Sequence, residues 1–188
     1  MSTDHVNPFP LEEEYQKKTG ISPQDIGKLR TWLATQPHLP GNHITDLDLV
    51  LTYHCCNRSL GVSKQVLDLH YTLRTLFTNY FKDRTVEDIE QVLRTLLLTP
   101  LPMRCDDGSA ILFTHFMDSD PTNFNIGETI KTVLMIMDLW QYEEGTWPGF
   151  VMVVDFNGMT LAHVARLDLQ NIQQFLYYLQ VRSDRSTE

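Results

Sequence analysis

At 188 residues the chain is long enough for one ordinary domain, or for a helical lobe followed by a small mixed domain. Hydrophobic residues make up 42% and charged residues 21%, which speaks against a disordered chain and calls for a packed core. The formal charge of −9 gathers in residues 101–188, where 5 Lys and Arg stand against 12 Asp and Glu; with no basic run to offset it, no nucleic-acid partner is expected.

Residues 1–20 carry Pro8, Pro10, the trio Glu12-Glu13-Glu14 and Lys17-Lys18, and read as a flexible N-terminus that gives way to a short solvated helix. Met1 to Pro10 hold no apolar leader, and no later stretch approaches ~20 apolar residues, so a cytoplasmic protein is expected. Ser22-Pro23 pairs a helix cap with a first-turn proline, and Ile26, Leu29 and Leu33 follow at helical spacing until Pro37. Thr45-Asp46 reopens a helix with Leu47, Val50, Leu51 and His54. Another begins at Ser63 and runs through Val66, Leu67, Leu69, Leu73 and Leu76 towards Phe81. A fourth, Val86, Ile89, Val92, Leu93, Leu96 and Leu97, closes at Pro100, so residues 21–100 form an all-helical lobe.

Pro100-Leu101-Pro102 marks the expected boundary with a second domain over 101–180. After the turn at Asp106-Asp107-Gly108, the run from Ala110 to Phe116 reads as a strand. Residues 127–140, with Ile130, Val133, Leu134, Met137 and Trp140, form a helix apolar around much of its circumference and therefore buried. The apolar run Gly149 to Val154 has the texture of a central strand covered on both faces, which makes the order strand, helix, strand a βαβ unit. A turn at Asp155-Phe156-Asn157-Gly158 leads to a short helix through His163 and a last one over about 168–180, and residues 181–188 read as a disordered tail.

Few residues invite chemistry. His115, His163 and Asp155 could serve a catalytic or metal site, yet no Ser or Cys sits in an elbow motif and no His-x-x-x-His pair gives metal spacing. His54, Cys55, Cys56 and His70 carry zinc-type groups, but adjacent helical cysteines point to different sides of the helix. No enzyme, metal or cofactor is expected. Asp155 is better read as a structural turn residue that accepts amides of the following turn, with Gly158 taking a backbone angle that other residues avoid. Three cysteines, two of them adjacent, give no disulfide framework.

Four stretches resemble the CRAL-TRIO lipid-transfer family: LRTWLATQPHLP at 29–40, LGVSKQVLDLHYTLRTLF at 60–77, FNIGETIKTVLMIMDL at 124–139 and GFVMVVDFNGMTLAH at 149–163. The second is similar to the tocopherol- and retinaldehyde-carrier branch. The resemblance implies an α/β fold in which the N-terminal helical lobe is followed by the first βαβ part of a lipid-binding domain. It places Phe150, Met152 and Val154 of the strand, with Thr132 and Ile136 of the neighbouring helix, as lining for an apolar ligand. The implied function is non-enzymatic binding and intracellular transfer of a retinoid-, tocopherol- or phospholipid-like molecule, with transient membrane contact.

Two departures qualify the resemblance. Thr52-Tyr53-His54 stands where the family usually has Phe-Leu-Arg, so a basic contact is weakened. The family's ligand lobe also continues past the helix at 168–180, and its phosphoinositide-contacting basic residues lie in that later portion. The alternative expectation is therefore a shortened interaction or regulatory protein that has lost carriage and binds a partner through the apolar edge where the sheet stops.

Overall fold

A helix leaves its first amides and last carbonyls without internal partners, so helices start where a neighbouring side chain can meet those amides. The computed structural model describes residues 7–182; the parts of the expected N-terminus and tail at 1–6 and 183–188 lie outside the described residues. Two units form. The first takes the chain as far as Leu76, Gln141–Thr146 and the residues from Leu176; the second takes Phe77–Trp140 and Trp147–Phe175.

In the first unit α1 (Leu11–Gln16) is followed by α2 (Pro23–Leu33), whose cap Ser22 accepts the Asp25 amide through its hydroxyl. Thr45 and Asp48 exchange bonds in a capping box that opens α3 (Asp46–Cys55). Asn57 and Arg58 then take positive φ, 49° and 63°, and turn the chain into α4 (Leu60–Leu76). The apolar positions read from the sequence converge in one core: Ile26, Leu29 and Leu33 of α2, Leu49, Val50 and Tyr53 of α3, and Leu67 of α4. Leu39 and Ile44 complete it from the loop between α2 and α3. Arg30 ties that loop down by donating to the Ile44 carbonyl at 2.7 Å and to Asp46 Oδ1 at 2.9 Å.

The second unit opens with α5 (Thr78–Phe81) and α6 (Val86–Thr95). Here the fold departs from the sequence expectation, because α6 ends at Thr95 and passes directly into β1 (Leu96–Arg104). The expected domain boundary at Pro100-Leu101-Pro102 thus lies inside a strand. Prolines are tolerated there because β1 is an edge strand, and its register shifts between Pro100 and Arg104. β2 (Ala110–Phe116) pairs antiparallel with β1 and parallel with β3 (Phe150–Asp155), and α7 (Ile126–Glu144) connects β2 to β3. The sheet order is β1-β2-β3. A 3-10 turn at Pro121–Asn123 precedes α7, and α8 (Leu161–Val164) and α9 (Leu169–Arg182) follow β3.

Cα partners across a sheet share a face, so the register sorts the side chains. Leu96, Leu98, Ala110, Leu112, Phe150 and Met152 lie on one face, where Ala110 and Leu112 are wholly buried. At one end of it Leu96 packs with Val92 and Phe124, flanked by Phe116, Ile126 and Leu167. At the other, Trp140 of α7 lies under Arg104 and meets Trp147, which stacks on Phe150. The second face carries Leu97, Ile111, Phe113, Val151 and Val153, and Val151 and Val153 remain 39% and 42% exposed. β3 is therefore a sheet edge with one open face rather than the central, doubly covered strand its composition suggests.

Candidate functional site

Of the residues singled out from the sequence, Phe150, Met152 and Val154 share the covered face of β3, although Val154 at the strand end is 37% exposed. Thr132 is buried and Ile136 half-buried; four residues apart on α7, they begin the stripe that ends in Trp140. The ring chain Trp140, Trp147, Phe150, with centroids 4.6 and 6.3 Å apart, leads from that stripe to the β3 row. Asp155 Oδ1 accepts the Asn157 amide at 2.9 Å, and Gly158 takes φ +89°, which gives the turn a local geometry of its own.

The two histidines go separate ways. His115 Nδ1 lies 3.0 Å from Asp155 Oδ2 on the adjacent strand, an ion-pair distance without hydrogen-bond angles. His163 is fully buried, its Nδ1 accepting the Thr160 amide at 3.1 Å and its ring 5.3 and 5.8 Å from Phe116 and Phe124. Its surroundings are those of a packed core residue. Cys55, Cys56 and Cys105 are free thiols, and among the described residues no three His, Cys, Asp or Glu side chains group as metal ligands. No described helix is long and apolar enough to cross a membrane.

A different surface stands out on the helical unit. Trp32, in the last turn of α2, packs its inner side on the core and keeps its outer side partly open. Lys64 of α4 sits 5.9 Å over its ring. One helical turn further along α4, Asp68 receives His38 at 2.8 Å, linking α4 to the exposed loop that also carries Pro37 and Pro40. The result is an aromatic anchor bordered by one cation and an exposed His38–Asp68 hydrogen bond, an anchor with a polar rim of the kind found on protein-binding surfaces. Sequence reasoning passed over these four residues because Trp32 falls beside the Leu29 and Leu33 stripe and its partners are supplied by another helix. The signal within reach was a tryptophan next to an apolar stripe.

A family model for a Pinta-like UBA domain matches residues 19–91, which takes in α2 to α5 and the first part of α6. No curated protein matches the chain. The match overturns the resemblance to the CRAL-TRIO family, since two of the four stretches that carried it, at 29–40 and 60–77, fall inside the residues matched by the UBA model. The implied lipid binding and transport, the hydrophobic small-molecule partner and the transient membrane contact fall with it. The physical reason is that Leu29, Leu33, Leu67 and their neighbours report only a small helical core, and such spacing serves either family equally.

Proposed function

We propose that the chain is a non-catalytic, cytoplasmic interaction protein that binds ubiquitin or a ubiquitinated protein through the helical surface carrying Trp32, His38 and Lys64. The observation that carries this reading is the match of residues 19–91 to a UBA model, because UBA domains bind ubiquitin without chemistry. Two further features support it. Within the matched region α2, α3 and α4 close a core of their own, so they can present a preformed surface at small ordering cost. Trp32 supplies a rigid aromatic anchor with Lys64 and the His38–Asp68 pair at its rim. A cytoplasmic setting suits the free thiols of Cys55, Cys56 and Cys105.

The test is titration of unlabelled monoubiquitin into the isotopically labelled full chain, followed by amide and indole NMR shifts. Saturable shifts centred on Trp32, His38 and Lys64 are expected, and Lys64→Glu should weaken binding about fivefold by reversing a rim charge. Unchanged spectra at millimolar ubiquitin would overturn the reading.

A further inference from the structure

We propose that β3 is a self-complementary docking edge at which two copies of this chain pair, antiparallel about Met152, into one continuous sheet. The inference lies in the second unit and does not depend on ubiquitin binding.

The backbone defines the occupant. The Ala110 amide donates to the Gly149 carbonyl, and the parallel register continues from Ala110↔Phe150 to His115↔Asp155. Backbone groups alternate sides along a strand, so Gly149, Val151 and Val153 turn theirs towards β2, while Phe150, Met152 and Val154 turn N–H and C=O towards the free edge. An antiparallel partner needs donors and acceptors at alternate residues. A second β3 offers the same three, and a two-fold axis through Met152 sets Met152 against Met152 and Phe150 against Val154, each pair exchanging both bonds.

Charge selects the same place. Each copy carries −9, so copies repel wherever acidic surfaces meet, yet residues 145–154 hold no charged side chain. In the register about Met152, Asp155 falls opposite Gly149 of the second copy, so no carboxylates face each other, and His115 stands 3.0 Å from Asp155 on its own chain. The edge also lacks the usual protections, since β3 has no lysine, proline or bulge. With the axis normal to the sheet, the open faces of both copies adjoin, and the exposed Val151 and Val153 of each cover those of the other. That burial adds an apolar contribution to the backbone bonds.

Sedimentation velocity of the full chain, from low micromolar to submillimolar concentration, should show a reversible shift from 21.8 kDa to twice that mass. Met152→Pro removes the outward N–H, which no strand bond among the described residues uses, while fixing φ at about −65°, which an edge strand tolerates, and should raise the dimer dissociation constant at least about tenfold. Met152→Cys gives a readout that does not depend on that variant folding. Hydrogen-bonded antiparallel partners have Cα atoms about 5.5 Å apart, within disulfide reach, so mild oxidation should join the two introduced thiols across the axis. Val151→Cys, displaced from the axis, should not cross-link to itself. A monomer at every concentration, a dimer that Met152→Pro leaves unchanged, or equal cross-linking at the two positions would overturn the proposal.

Discussion

Glu14 and Thr146, 132 residues apart in sequence, are joined twice: Oε1 of Glu14 accepts the Thr146 amide at 2.7 Å and Oε2 accepts its hydroxyl at 2.8 Å. Lys17 Nζ lies 2.5 Å from the same Oε1 and donates to the Glu144 carbonyl at 2.8 Å. The Glu14 side chain is wholly inaccessible to solvent, so a carboxylate in the acidic start of α1 becomes the centre of a buried polar clamp within the first unit. Removing the Glu14 carboxylate leaves the buried Thr146 amide and hydroxyl without their acceptor, while Lys17 keeps the Glu144 carbonyl, a loss of about 3 kcal/mol. Glu14→Ala should therefore lower the unfolding free energy by about 3 kcal/mol, and Glu14→Gln by less, because the amide oxygen can still accept from Thr146. Urea denaturation checks both, and a loss under about 1 kcal/mol for the alanine variant would show that the clamp does not hold α1.

Gly145 provides the independent test of that clamp. It takes φ +76°, and a Cβ there would stand 1.9 Å from Glu14 Oε1 and 3.0 Å from Lys17 Nζ. The Glu14 side chain cannot swing aside without giving up both bonds to Thr146. Gly145→Ala should cost more than about 2 kcal/mol, adding left-handed backbone strain to the lost bonds. Combined with Glu14→Ala, which removes the obstructing carboxylate, the alanine should cost only the strain of about 1 kcal/mol. Fully additive losses in the double-mutant cycle would contradict the geometry.

Where local chemistry decides the structure, the sequence was readable. Ser22-Pro23 and Thr45-Asp46 start helices where their caps demand, and the Leu29 and Leu33 spacing leads into the core. Distant partners hid the rest. Glu14 looks like one of three solvated acids until Thr146 arrives, and Leu96-Leu97 extends the helical spacing of α6 until pairing with His115 and Phe116 draws it into β1. The run Phe150 to Val154 is equally apolar in a central strand or an open edge, because side-chain type does not tell how many neighbours a strand has. The candidate surface around Trp32 depended on which residues of α4 face it, a tertiary fact.

The loop before α7 makes a pH prediction. Asp118 receives the Asp120 amide at 2.8 Å and Asp120 receives the Thr122 amide at 2.8 Å, and these backbone bonds, ahead of side-chain bonds from Asn123 and Thr122, hold both carboxyls below the ordinary aspartate value. A carboxyl lowered in the folded state contributes stability above its unfolded pKa of about 3.9 and loses it as pH falls through the folded value. Carboxyl-carbon NMR should accordingly find Asp118 and Asp120 titrating later, on acidification, than an unstructured aspartate. Asp120→Asn should leave the pH 7 fold intact while removing its own share of the acid-side decline; an aspartate-like titration for both residues would contradict the bonding.

Tyr80 tests the second unit from the alkaline side. Its hydroxyl donates to the Asn171 carbonyl at 3.2 Å and to the Asn171 Oδ1, tying α5 to the start of α9 within that unit. The residue is buried, and burial is the leading cause that pushes its phenol above the usual tyrosine value, with Asp168 adding to the shift and Asn79 opposing it. The neutral phenol is the bound form, so its contribution is complete below the unfolded pKa of about 10 and declines as pH rises through the folded value. Tyr80→Phe should cost about 1 kcal/mol at pH 7, because Asn171 loses the phenol as a donor and keeps only the Asn79 amide on its Oδ1, while the ring still packs. The same substitution should flatten stability against pH above about 10, since the variant no longer carries the proton whose loss weakens the parent. Guanidinium unfolding at neutral and alkaline pH measures both effects, and an equal alkaline decline in parent and variant would place the titrating group elsewhere.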